Sequence, residues 1–170
     1  MVIGEYAAAD AEEIRRIAAD CRPAAAVETW VRDDGKGCVM ICGQAAAGAQ
    51  TVKQVDLLFT GGEYGARGGD WLFYAGLWTP QDFRDEFLAW YRLEHLPILL
   101  ECPTWNGCRF VEQKVAEGCQ FHALHQVMDK ATLDCDARKR SRSTPWFLRL
   151  AKQPWFDDAF TRILCRRAPP

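Results

Sequence analysis

Long apolar runs are missing from this sequence. No stretch approaches the roughly 18 residues that span a membrane, and the start Met-Val-Ile-Gly-Glu-Tyr lacks the basic segment of a signal peptide. The chain is therefore expected to be cytoplasmic, with no membrane partner. A surplus of positive charge is missing too: 21 Lys and Arg face 23 Asp and Glu, a net charge of −2, which gives no general attraction to nucleic acid. Glycines pair at 61–62 and 68–69, yet they form neither G-x-x-x-x-G-K nor G-x-G-x-x-G, so no phosphate loop is expected. No nucleophile elbow occurs. The eight cysteines contain no Cys-x-x-Cys, and none of the three histidines stands at metal-site spacing from a cysteine pair. Neither a metal nor another cofactor is expected. Cys38 and Cys42, the closest pair, would share one strand face too far apart to bridge, so buried, reduced thiols are the default.

What is present is core material. Hydrophobic residues make up 49% of the chain and aromatic ones 12%, with seven Trp, which points to a packed interior. The chain has enough length for one domain or two small ones. Residues 2–6 read as a short strand. Residues 10–21 read as a helix, because Ile14, Ile17, Ala18 and Cys21 recur at helical spacing. Two β-rich runs, 26–32 and 38–42, flank Asp-Asp-Gly-Lys-Gly, a hairpin signal because Asp-Gly tolerates the positive φ of tight turns. Residues 44–50 are too short for a full crossover helix, 55–60 is a further strand, and the Gly-rich residues 61–69 read as a linker. From Asp70 the pattern begins again: strand 71–77, helix 81–95, strand 109–114, a turn at Glu117-Gly118, strand 119–127, helical pieces within 130–151 and strand 160–166. This is the βαββαβ order of a ferredoxin-like α+β fold. Residues 1–60 follow a reduced version of it, so the chain reads as two degenerate repeats, with the complete unit at 70–170.

The stretch 69–105 carries the strongest local signals. Thr79 with Asp82 three residues on is a capping pattern, Pro80 suits a first helical position, and Pro97 should end the helix at Leu96. Along that helix Arg84, Leu88, Tyr91 and His95 share one row, so the Tyr91 hydroxyl and the His95 imidazole should emerge on one side, a turn apart.

These residues also carry a resemblance. Trp90-Tyr91-x-x-Glu94-His95-Leu96-Pro97, followed by Cys102-Pro103-x-Trp105, resembles the W-Y-x-x-E-H-L-P run of the EthD-like branch of the dimeric α/β-barrel superfamily. Residues 120–127 resemble that family's Y-L-A-L-Y-E-L strand, and Ser143-Thr144-Pro145-Trp146 its T-P-W; the likeness spans about 69–166. This sequence departs from the pattern at His122 and His125, and it lacks the usual Gly in 102–105. The resemblance implies two ferredoxin-like sheets closing face to face into a barrel, either within a homodimer or within one tandem chain. It also implies a cofactor-independent enzyme acting on a small molecule.

His95 is the first candidate for chemistry. It reads as a general acid or base oriented by Glu94, Tyr91 or a backbone carbonyl, or as a structural cap of the helix C-terminus. His122 and His125 lie three apart on a strand and so face opposite ways, unable to share a metal without a bulge. His122 is favoured for the cavity between sheet and helices, and one of the pair is expected to approach His95 and Tyr91. Tyr91 would donate to a developing oxyanion. Tyr74, Trp90, Trp105, Trp146 and Phe147 are candidate walls for a flat substrate. The basic run 138–142 reads as a solvated helix end rather than an anion site. The function expected is a lyase, isomerase, dehydratase or cyclase using His-based proton transfer on an aromatic or polyketide-like substrate. The alternatives are a cofactor-free oxygenase of the same superfamily and a non-catalytic ligand-binding or stress-response protein.

Overall fold

Apolar side chains occupy both faces of the strands near the middle of the chain, so each must be covered twice. The computed structural model, which describes residues 1–7, 10–22, 27–65, 69–156 and 160–168, shows how. The first half contains β1 (Val2–Tyr6), α1 (Ala11–Asp20), β2 (Glu28–Arg32), β3 (Cys38–Cys42) and β4 (Thr51–Gly62). The second contains β5 (Trp71–Thr79), α2 (Arg84–Trp90), α3 (Leu96–Leu100), β6 (Trp105–Gln113), β7 (Cys119–Val127), α4 (Asp136–Ser141), α5 (Pro145–Leu150) and β8 (Phe160–Arg167).

The strands form a closed barrel in the order β1-β3-β2-β8-β5-β7-β6-β4, every neighbouring pair antiparallel. Each half has the same internal order, β4-β1-β3-β2 and β8-β5-β7-β6. The second strand of each pairs with the fourth strand of the other. The two halves thus share one strand order, and together they close a single barrel within one chain. Every strand contributes to the barrel interior, among them Ile3, Trp30, Val39, Val55, Leu72, Val111, Leu124 and Cys165.

The outer face of the second half's sheet is covered by helices. Phe87 and Trp90 of α2 and Leu150 of α5 pack on Leu77, Phe110 and Phe121. Phe87 is fully buried and stacks on Phe121 with ring centroids 5.7 Å apart. Phe87→Ala should therefore cost about 3–5 kcal/mol, measurable as a lowered urea midpoint. The first half is covered by α1, whose Asp10 cap accepts the Glu13 N–H at 2.8 Å. No helix among the described residues is long and apolar enough to cross a membrane. All eight cysteines are free thiols.

Three local expectations are corrected. Thr79 ends β5 instead of capping a helix; the cap is Pro80, without a side-chain hydrogen bond. The helix does not stop at Leu96 but continues through Pro97 to Leu100, by way of a π-turn over Tyr91–His95. The wider turn, in which the Leu96 N–H bonds to the Tyr91 carbonyl, leaves Pro97 in a first helical turn, where its missing N–H has no partner to lose. Finally, Gly61 and Gly62 are part of β4, paired with β6, so the expected linker does not begin at 61; residues 66–68 lie outside the described residues.

Candidate active site

A cavity of about 400 Å³ lies between the outer face of the second half's sheet and the helices, within the size range of small-molecule pockets. Strand alternation sets its floor. Phe73, Ala75 and Leu77 of β5 and His125 of β7 face it, while Leu72, Tyr74 and Leu124 face the barrel interior.

The π-turn sets its wall. Tyr91 and His95 would share a face of a regular helix, and the extra residue in the turn adds Trp90, five positions before His95: the His95 ring centroid is 4.6 Å from that of Trp90 and 5.0 Å from that of Tyr91. Such turns recur at functional sites because they redirect side chains that a regular helix would spread around its axis. Glu94 does not orient His95; its carboxylate accepts the Thr144 hydroxyl at 2.6 Å and so ties the turn to the start of α5. The contact that orients His95 is with the Ser141 carbonyl, and Nδ1 is buried without a hydrogen-bond partner. Burial, together with the nearby Arg142 and Arg138, pushes the imidazole down to about 4, so it is neutral near pH 7.

Behind it runs a closed hydrogen-bond chain. The Trp105 indole N–H donates to His125 Nδ1 at 3.1 Å. An indole nitrogen is only ever a donor, so Nδ1 must carry the lone pair and Nε2 the proton. His125 Nε2–H therefore donates to the Tyr91 hydroxyl oxygen, 2.6 Å away, and the Tyr91 proton is directed at the Cys108 thiol. Protonating His125 would set Nδ1–H against the indole N–H, and burial separately pushes its imidazole down to about 3. The chain fixes His125 neutral and Tyr91 as an occupied hydroxyl. Tyr91 is thus positioned beside the cavity but not free to donate to a substrate oxyanion, contrary to the role expected for it.

The structure brings together His95, Tyr91, His125, Trp90, Trp105 and Phe147 of the candidate residues. It does not bring in His122, Tyr74 or Trp146. The expectation that His122 faces the cavity is reversed: it lies on the barrel side of β7, accepting from the Tyr74 hydroxyl at 3.0 Å and donating to Gln113 Oε1 at 3.0 Å. Burial and Lys53 hold it at about 3, a structural histidine in a satisfied network. Tyr74 shares that network. Trp146 stands outside the cavity lining, with the Arg149 guanidinium over its ring.

Three residues not anticipated from the sequence line the cavity: Arg138 on α4, Arg142 at its end, and Arg162 on β8. Positions 138 and 142 are one helical turn apart, the spacing that places two side chains on one face, and this was the available signal. Arg162 lies two positions after Phe160 on β8 and so shares its face, which also lines the cavity. No group of His, Cys, Asp and Glu among the described residues is arranged to hold a metal ion.

No protein-family model and no curated protein sequence matches the chain. Solved structures do match it in shape. A ferredoxin fold protein from Listeria monocytogenes related to antibiotic biosynthesis monooxygenases superposes with a TM-score of 0.67 at 10% identity, covering 99% of this chain and 94% of that one. A heme-degrading enzyme from Listeria monocytogenes gives 0.63 at 11% identity, with 98% and 99% covered. An anthrone oxidase-like protein gives 0.63 at 10% identity, with 99% and 90% covered. These likenesses over nearly whole chains agree with the strand order above: the fold is ferredoxin-like α+β of the dimeric α/β-barrel type, here closed within a single chain.

Proposed function

We propose that the cavity is the active site of a small-molecule enzyme in which neutral His95 removes a proton from a flat aromatic or polyketide-like substrate. The observation that supports this most directly is His95 itself: a half-buried imidazole lining an aromatic cavity, neutral at physiological pH, with one nitrogen unpartnered. Such a group accepts a proton without first losing one, and the Ser141 carbonyl then favours the imidazolium it becomes. The electron pair of the broken C–H bond passes into the substrate's conjugated carbonyl. Trp90 carries a buried indole N–H with no partner beside the same cavity, a donor to the oxygen that gains charge, in the place first expected of Tyr91.

The fate of the carbanion separates two readings. Returning the proton at another position makes the protein an isomerase or lyase. Reaction with O₂ makes it a cofactor-free oxygenase, in which an anthrone CH₂ and O₂ give a quinone carbonyl and water. The oxygenase reading draws support from the similar structures, whose names point to monooxygenases and an anthrone oxidase.

Anthrone itself is the test. Incubated with the protein in deuterated buffer under argon, it should exchange its acidic hydrogens faster than in buffer alone. In air, oxygen uptake matching quinone formation selects the oxygenase, and exchange without uptake selects the isomerase or lyase. Neither exchange nor uptake above buffer, with ligand still bound, would leave a non-catalytic binding protein. The narrower EthD-like placement rests on the Trp90 to Pro97 run. A homodimer is likewise proposed from that resemblance, although a barrel already closed in one chain does not need one; sedimentation velocity decides it.

A further inference from the structure

We infer that Arg138, Arg142 and Arg162 form a receptor for a carboxylate carried by the aromatic substrate. The inference rests on the reading of the cavity as a ligand site, not on the chemistry assigned to His95.

Several arginines elsewhere are matched with acids, Arg84 with Glu112, Arg149 with Glu86, Arg140 with Glu101 and Arg32 with Asp34, while Arg22, Arg92 and Arg167 stand singly on carbonyls or aromatic rings. What distinguishes the cavity is that three arginines line it together. Among the described residues no ion pair involves Arg138, Arg142 or Arg162. Arg138 donates to the Leu133 carbonyl at 2.5 Å, and Arg162 lies over the Phe160 ring at 5.1 Å. Asp134 favours the charged form of Arg138, but less than burial, Arg142 and Arg162 disfavour it. Burial, and after it repulsion from Arg142, disfavours the charged forms of Arg138 and Arg162, and Arg162 adds to the repulsion on Arg138. Gathering three cations on one side of an apolar cavity is unfavourable in the empty protein, and an anion placed among them reverses the sign of that interaction. Guanidinium groups bind carboxylates through paired N–H donors, which fixes orientation as well as charge.

Two further features share the cavity, the unpartnered Nδ1 of His95 and the unpartnered indole N–H of Trp90. A planar acid with its carboxylate at the arginines lays its rings between Trp90, Phe147 and Phe73 and presents its far edge to these two atoms. It would also act on His95. Arg142 and Arg138 are among the causes of its depressed basicity, so neutralising them raises the affinity of His95 for a proton when substrate binds.

Isothermal titration calorimetry with naphthalene-2-carboxylate and naphthalene-2-carboxamide tests the inference, because the two differ in charge and hardly in shape. The carboxylate should bind at least about tenfold more tightly, and its advantage should shrink as NaCl rises. In the Arg142→Gln/Arg162→Gln double variant, whose changed side chains are exposed and so spare the core, the advantage should fall below about threefold. It should survive in His95→Asn. Equal binding of the two probes, binding of neither, or a preference that persists in the double variant overturns the inference. Loss of the preference in His95→Asn with the arginines intact also overturns it, by making the imidazole the anion's partner. An anthrone reaction that fails while the charge preference holds would instead remove the catalytic role of His95 and leave the receptor standing.

Discussion

Replacing His95 by alanine is expected to slow proton exchange from anthrone by about two to four orders of magnitude, the usual contribution of a positioned acid–base group. The same substitution should leave far-ultraviolet circular dichroism unchanged, since His95 lines the cavity and its side chain makes a single hydrogen bond, to the Ser141 carbonyl. A rate within a few-fold of wild type would sink the assignment. The pH profile supplies a second readout. In the free protein the imidazole titrates at about 4, so kcat/KM should be flat from pH 7 down to about pH 5 and fall below it. An anionic substrate offsets Arg142 and Arg138, so the fall in kcat should be displaced to higher pH than the fall in kcat/KM. Coincident profiles would show that substrate charge does not reach His95.

Stability should collapse in mild acid. His95 titrates at about 4, and His122 and His125 at about 3, all below the ordinary value of 6.5 because burial disfavours their charged forms. In the unfolded chain they regain the ordinary value and take up protons first. As pH falls below 6.5 the unfolded state therefore binds more protons than the folded one, and stability is lost progressively down to about pH 3. Each group contributes a slope of roughly 1.4 kcal/mol per pH unit in that window, so three together approach roughly 4 kcal/mol per unit. Against a typical domain stability of about 5–15 kcal/mol, this removes a large share of the stability between about pH 6.5 and pH 4. Urea midpoints measured from pH 7 to pH 4.5 should fall steeply, and His122→Gln, which keeps a hydrogen-bonding side chain but cannot titrate, should remove about a third of the slope. A midpoint constant over that range would contradict the buried, neutral state of the histidines.

How much of this was legible in the sequence depends on the length scale of each signal. Strand β7 is read at both ends because a Glu-Gly turn precedes it and its side chains alternate cleanly. The same alternation tells that His122 and His125 face opposite ways but not which faces the helices, because β7 is buried on both sides and both rows contain apolar residues. Deciding between them requires the barrel, which is set by strands from the other half of the chain. The helix exit is hidden for a local reason: the rule that a proline ends a helix assumes regular α geometry, and the π-turn ahead of Pro97 removes the conflict. The arginines are hidden differently. A basic run on a short helix looks solvated, and only the folding of α4 over the sheet, opposite Arg162 on β8, makes it the lining of a cavity.

The closure of the barrel inside one chain has a consequence for stoichiometry and for divergence. A barrel assembled from two identical chains carries every side chain in duplicate, so any change that improves one pocket is imposed on its twin. Here the two units are free to differ, and among the described residues they do: the first is covered by α1 alone, while the second has α2 to α5 above the cavity. One unit is released to serve as wall and support, the other to specialise. Titration should accordingly register one ligand per polypeptide, and substitutions in β1 to β4 should alter the stability of the barrel while leaving the affinity of the cavity nearly untouched.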